Sequence, residues 1–202
     1  RVAPPPPPTG PRAMIAGVKI YTRRGDGVET DLFGGERVSK DDRRVAAYGE
    51  IDELNAAVGV AAAESDHDDL RIRVQRIQST LFDVGAHLAT PDPDHRTKAG
   101  VPCAGAEDVD ELEAEIDRLE SELEPLKSFV LPGGTRAAAA FHLARTVCRR
   151  AERALVALDR TESVDEVVLR YVNRLSDLLF TFARVENRRA GVADVAWIGR
   201  DR

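Results

Sequence analysis

Arg145-Thr146-Val147-Cys148-Arg149-Arg150-Ala151-Glu152-Arg153 lies in the middle of a long stretch with helical spacing, and its reading decides the fold. At 100° per residue, His142, Arg145, Arg149 and Glu152 fall within roughly an 80° sector. Leu143, Val147, Ala151, Ala154, Leu155 and Leu158 take the opposite side. One side of this helix is therefore expected to pack a core, while the other carries guanidinium forks with a carboxylate among them. Guanidinium suits phosphate oxygens because its planar fork donates two parallel hydrogen bonds. Charge-rich helix faces are most often only solvated, so the phosphate reading depends on what the rest of the chain sets beside this helix.

Working outward, the arginine helix spans about 136–159 with Thr135 as a candidate cap. It follows the apolar turn Lys127-Ser128-Phe129-Val130-Leu131-Pro132-Gly133-Gly134-Thr135, whose Phe has the spacing of a plug for the end of a bundle. A last helix over about 163–187 carries Val164, Val168, Tyr171, Leu175, Leu178, Phe182 and Val185 four and three apart, a bundle seam. Arg170, Asn173, Asp177 and Arg184 occupy a separate polar face. Upstream, a helix over about 43–64, capped by Ser39 or Asp41, buries Ala47, Ile51, Leu54, Val58 and Ala61. Asp52 lies on its other side, near Tyr48, Asn55 and Gly59, either solvated or paired with an Arg of another helix or another subunit. A second helix starts at Asp66 or Asp68 and runs to about 88, where Thr90-Pro91-Asp92-Pro93-Asp94 ends it. Residues 92–105 read as a long surface loop with His95 exposed. A third, acidic helix over about 107–124 has Val109, Leu112, Ile116, Leu119 and Leu123 as its seam and is stopped by Pro125. Five helices without a convincing sheet make an all-α bundle.

Before the first helix, Val18-Lys19-Ile20-Tyr21-Thr22 is a short extended segment that runs into a Gly/Asp loop ending at Asp31. Gly25 and Gly27 allow close backbone approach, and Thr22 and Thr30 offer hydroxyls, so such a loop can wrap a polyphosphate with backbone N–H groups. The Walker A spacing is absent. Residues 32–40 continue the irregular stretch and bring Lys40 as a further cation. Residues 1–17 read as a disordered Pro-rich leader, with Met14 an alternative start, 18–190 as the helical domain and 191–202 as a tail without periodicity.

Composition sets the outer limits. A hydrophobic fraction of 43% with 32% charged residues describes an ordinary globular chain, and 5% aromatics favours helix over strand. A net charge of −6 argues against a nucleic-acid binder and for a small anionic ligand at a local cationic site. Cys103 and Cys148 form neither a disulfide framework nor a zinc spacing, which suggests a reducing, cytoplasmic setting. No apolar run reaches the roughly 18 residues of a membrane span.

Six segments together resemble the PduO-type ATP:cob(I)alamin adenosyltransferases. They are Lys19-Ile20-Tyr21-Thr22 with Gly25-Asp26, then Phe33-Gly34-Gly35-Glu36-Arg37-Val38-Ser39-Lys40-Asp41, and Ala47-Tyr48-Gly49-Glu50-Ile51-Asp52-Glu53-Leu54-Asn55. Phe129-Val130-Leu131-Pro132-Gly133-Gly134, the arginine stretch from Ala144 to Arg153, and Asn173-Arg174-Leu175-Ser176-Asp177 complete them. The resemblance implies a ferritin-like five-helix bundle assembled as a homotrimer with active sites between subunits. It implies transfer of the 5′-deoxyadenosyl group of ATP to the cobalt(I) of a reduced corrinoid, with Mg²⁺ on the phosphates and triphosphate leaving. A flavin-type reductase and an adenosylcobalamin-dependent acceptor enzyme are the partners it suggests.

Carried over by position, Thr22, Arg23, Arg24, Gly25, Thr30, Asp31 and Lys40 fall in the family's N-terminal ATP loop. Arg149, Arg150, Ala151, Glu152, Arg153 and Asn173 match the helical part of the ATP site, with Arg149 as the main phosphate clamp. Asp52 and Arg145 match a pair that joins subunits at the active site. Phe129 matches the aromatic residue that keeps the lower axial ligand off the cobalt. The family loop reads T-[KR]-T-G-D-x-G-x-T, whereas Arg24 stands here for the second Thr and Val28 for the second Gly, with Gly27 one position earlier. A di-metal carboxylate bundle would need two Glu-x-x-His pairs, and Glu64-Ser65-Asp66-His67 falls at a helix break. A non-catalytic nucleotide or corrinoid carrier is the alternative function.

Overall fold

Capping side chains and prolines divide the chain into its elements. The computed structural model describes Tyr21 and residues 25–199. An antiparallel hairpin, β1 (Glu29–Asp31) and β2 (Arg37–Ser39), precedes six helices: α1 (Arg43–Glu64), α2 (Asp68–Leu88), α3 (Pro93–Ala99), α4 (Ala106–Glu120), α5 (Arg136–Asp159) and α6 (Glu166–Arg189). The architecture is predominantly helical, as the periodicities lead one to expect.

Three local expectations fail. Residues 29–39, read as irregular, pair as β1 and β2 with Thr30 opposite Val38. The 92–105 loop contains α3, which Asp92 caps by accepting from Asp94 N–H at 2.9 Å and which opens on Pro93. Proline at the first helical position fits because its missing N–H has no intrahelical partner there. The cap of α1 is Asp42, which accepts from Arg44 N–H at 2.7 Å, rather than Ser39 or Asp41. Boundaries also move, since α4 stops at Glu120, ahead of Pro125.

Helix α1 packs between α2 and α5, and α6 packs against α5 and α4. The core between them is apolar and tight. Ile51, Leu54, Phe141, Tyr171 and Phe182 have at most 1% of their surface exposed, and the Phe141 and Phe182 rings meet edge to face at 5.2 Å. Each such burial is worth about 1.5–3 kcal/mol. Ion pairs tie the outer helices: Arg73 reaches Glu111 at 2.7 Å, and Arg189 bridges Asp69 and Glu122 at 2.8 Å each. The hydrogen bond from Arg189 holds the Asp69 carboxyl down at about 2, against an ordinary 3.8. Its contribution is therefore full above the ordinary value and is lost as pH falls through the lowered one.

Four side chains sit differently from their periodicity. Leu143, assigned to the core side of α5, is 62% exposed, whereas His142, assigned to the polar side, is buried against Phe180 at 5.8 Å. Arg184, assigned to a polar face of α6, is buried and bonded to Asp194 at 2.9 Å and to the Glu124 carbonyl at 2.8 Å. His95 is half-buried against the Phe33 ring. In each case tertiary cover decides burial, which helical spacing cannot register.

After α6 the chain turns back as a strap. Leu131 N–H donates to the Val195 carbonyl at 2.8 Å and Trp197 N–H to the Phe129 carbonyl at 2.7 Å, with Val130 bridged to Ala196. Asn187 anchors the turn beneath, accepting from Thr135 N–H at 2.9 Å and donating to the Gly133 carbonyl at 3.1 Å. Gly134 has φ +104°, and a Cβ there would sit 2.0 Å from Asn187 Oδ1. Gly134→Ala is expected to lower the unfolding free energy by about 2–4 kcal/mol through backbone strain and a lost anchor. Denaturant midpoints measure this, and an unchanged midpoint would contradict the packing described.

Candidate active site

The polar face of α5 separates its arginines by what they touch. Arg150 is neutralised by α1, with Nε 2.6 Å from Glu50 Oε2 and a second ion pair to Glu53. Arg153 donates to the Arg149 carbonyl at 2.8 Å. Arg145 and Arg149 have no carboxylate partner among the described residues. Arg145 is half-buried, and its Nε is enclosed without an acceptor. Burial first, and then the neighbouring Arg149, weakens its hold on its proton. Two cations that disfavour each other make a site where an anion relieves both. Glu152 accepts from Asn173 Nδ2 at 2.8 Å, which joins α5 to α6 beside this pair. Ala151, carried over as a contact residue, is fully buried in the core and supplies packing instead.

Arg145 and Arg149 rim a cleft of about 450 Å³ whose opposite wall includes Phe180 and Leu126. Arg149 also lines a second recess with Glu152, Arg153 and Arg160. Leu126 also lines a neighbouring groove of about 460 Å³ beside the strap, where Val130 and Ala196 meet the charged Glu124, Lys127, Arg184, Arg188 and Asp194. The cleft and this groove share Leu126 as a common wall. Phe129 is 80% exposed and, one residue from Val130 in an extended pairing, faces away from that groove, with its ring edge to face on Trp197 at 6.3 Å. Its exposure rules out the plug reading, in which the ring would fill the end of the bundle.

The N-terminal residues lie elsewhere. Lys40 donates to the Gly25 carbonyl, Asp31 pairs with Arg37 at 3.3 Å, and Thr30 is half-buried in the hairpin. Phe33 N–H donates to the Ala89 carbonyl at 2.9 Å, so the hairpin packs where α2 ends. Arg44 marks the same end of the bundle, spanning the Leu88 carbonyl and Glu162 at 2.7 Å each. Arg149 lies about 15 Å back from the end of α5 at Asp159. Within one chain, then, the hairpin and the cationic cleft are not brought together. Asp52 is exposed on α1. Thr22, Arg23 and Arg24 lie outside the described residues.

Sequence reasoning missed Leu126, Phe180, Arg174 and Trp197. Arg174 lines the cleft but is held by Glu113 at 2.9 Å and Asp177 at 2.8 Å. Only the Asn173–Asp177 segment signalled this wall. Trp197 lies in an aperiodic tail, and its role comes from a strand-like pairing 68 residues away that no local pattern encodes.

Comparison with known proteins gives the same picture from another direction. A family model described as cobalamin adenosyltransferase matches residues 20–186. A cobalamin adenosyltransferase of Cupriavidus metallidurans is 44% identical over 180 residues, covering 89% of this chain and 94% of that protein. A corrinoid adenosyltransferase of Bacillus subtilis is 45% identical over 186 residues, covering 89% and 92%. Among solved structures, a variant PduO-type ATP:corrinoid adenosyltransferase from Lactobacillus reuteri, complexed with cobalamin and ATP, superposes with a TM-score of 0.84. It is 40% identical and covers 90% of this chain and 100% of that one.

Proposed function

This chain belongs to the cobalamin adenosyltransferase family, and from that premise we propose how its own residues carry the family's reaction. The chain is an ATP:corrinoid adenosyltransferase. Cobalt(I) of the reduced corrinoid donates its electron pair to the 5′ carbon of ATP. The carbon–oxygen bond breaks, triphosphate departs with that bond's electrons, and cobalt ends formally at the +3 level.

The observation that carries the residue assignment is the pair Arg145 and Arg149, left without carboxylate partners among the described residues on the rim of a cleft. Arg149 clamps the departing triphosphate, where negative charge grows as the bond breaks. Arg150 and Arg153 shape the field and brace α5. The oxygens of Glu152 and Asn173 beside Arg149 suit a hard divalent ion such as Mg²⁺ carried in on the phosphates. When bound, that ion supplies further charge neutralisation on the leaving group. The corrin lies against the exposed Phe129 and Trp197 rings, and Phe129 stands on the face where a lower axial ligand would otherwise coordinate. Excluding that ligand makes cobalt(II) easier to reduce.

A homotrimer completes the site. The hairpin with Gly25, Thr30, Asp31 and Lys40 supplies nucleotide contacts to the cationic cleft of a neighbouring subunit, and Asp52 of one subunit meets Arg145 of the next. Exposed Val60 on α1 and Leu143 and Val156 on α5 offer apolar surface for subunit contacts. Mixing Lys40→Ala with Arg149→Ala subunits tests the arrangement. Each variant alone is expected to be impaired, and random mixing regenerates about one quarter of the sites if hairpin and clamp come from different chains. No recovery after subunit exchange would mean that both act within one chain.

A further inference from the structure

At the hairpin end of the bundle, three side chains unused by the reaction converge from three elements. They are His87 in the last turn of α2, Cys103 in the connection to α4 and Asp165 at the start of α6. Their donor atoms all lie within 4.8 Å of one another, and His87 Nε2 is 3.0 Å from Asp165 Oδ2. Nitrogen and oxygen ligands on one tetrahedral zinc ion stand about 3.3 Å apart, given bonds of about 2.0 Å. The His87–Asp165 edge is therefore already near the required length, and Cys103 Sγ lies within 4.8 Å of both. Asp165 occupies the cap position of α6, yet its carboxylate makes no capping bond and turns to His87 instead. Burial and the Asp165 charge push the Cys103 thiol up to about 11, against a hydrogen bond from the Ala104 N–H, so a bound metal ion must displace the thiol proton. Two guanidiniums oppose a dication here: Arg44, which Glu162 neutralises, and Arg96, which donates to the Thr90 carbonyl at 2.9 Å. A thiolate and a carboxylate together supply two negative charges against them.

We propose that His87, Cys103 and Asp165 form a three-ligand site for a borderline transition-metal ion of the Zn²⁺ class, with water in the fourth position. A hard ion such as Mg²⁺ is excluded by the nitrogen and sulfur donors. The ion clips the end of α2, the connection before α4 and the start of α6 into one unit. Ala89, two residues beyond His87, holds the hairpin through Phe33. Metal loading at this clip therefore stiffens the platform from which the hairpin reaches a neighbouring cleft.

The test uses the full chain without an affinity tag, stripped with EDTA, and Co²⁺ as a spectroscopic probe. One Co²⁺ per chain is expected to bind with intense tetrahedral d–d bands and a thiolate-to-cobalt charge-transfer band, both bleached by Zn²⁺. Cys103→Ser, with its helix content checked, loses the charge-transfer band, and Asp165→Asn weakens Co²⁺ binding by about tenfold or more. Zn²⁺ raises Tm of the parent chain and leaves that of Cys103→Ser unmoved. Absence of the charge-transfer band at one equivalent overturns the site, as does a band that survives Cys103→Ser. In that case His87 and Asp165 are a hydrogen-bonded pair and nothing more.

Discussion

Arg149→Ala is expected to lower kcat roughly 100- to 1,000-fold while leaving helix content and corrinoid binding unchanged. The size follows from the position of the group. Arg149 is exposed on α5 and takes no part in the core, so its removal deletes charge without opening a cavity. A donor that meets charge developing only in the transition state is worth about 3–4 kcal/mol, and the loss appears in kcat more than in KM. Arg149→Lys restores the charge but not the planar fork, so it should recover part of the rate. Arg150→Ala is the informative contrast. Arg150 is held by Glu50 and Glu53 of α1, so its loss weakens a helix contact more than it weakens the leaving-group site. Steady-state rates with ATP varied separate these cases. Equal losses for Arg149→Ala and Arg150→Ala would remove the distinction drawn between them.

Phe129→Ala is expected to cost roughly 10- to 100-fold, and the loss should depend on the oxidation state supplied. The ring is 80% exposed, so the substitution barely affects stability. What it removes is an apolar face worth about 1.5–3 kcal/mol when buried against another apolar surface, a factor of ten or more in rate. If the ring keeps a lower ligand off cobalt, the larger loss appears when cobalt(II) corrinoid and a reductant are supplied. Chemically generated cobalt(I) corrinoid, which carries no lower ligand, should show a smaller one. Equal losses in the two assays would assign Phe129 to corrin binding alone. The Trp197 ring that supports it comes from the strap, so Trp197 bears on the same assay through the position of Phe129.

The long helices were legible in the sequence because their signal is repeated many times. Val168, Tyr171, Leu175, Leu178, Phe182 and Val185 all reach the core, as their spacing indicates. Short elements carry too few repeats, which is why α3 and the hairpin strands read as loop. Burial of polar residues was also hidden. His142 is covered by Phe180 on another helix, and Arg184 by the returning strap and by the Glu124 carbonyl 60 residues away. At the candidate site the residue types were legible, since an arginine pair on one helix face states its chemistry locally. Which arginine is free was not, because Glu50 and Glu53 lie a hundred residues away from Arg150 and neutralise it only in the folded chain. Ala151 illustrates the limit of transfer by position: it lies within the matching motif, yet its side chain points into the core.

The central claim is catalytic transfer at the Arg145–Arg149 cleft, and turnover tests it most directly. Purified chain is supplied with ATP, Mg²⁺ and chemically reduced cobalt(I) corrinoid, and adenosylated product is followed by its light-sensitive absorbance while triphosphate is quantified. Many equivalents of product per chain are expected, with one triphosphate released for each and almost none from the Arg149→Ala protein. Product that stops at one equivalent per chain, or that forms without triphosphate release, would contradict the account and leave a binding protein in place of an enzyme.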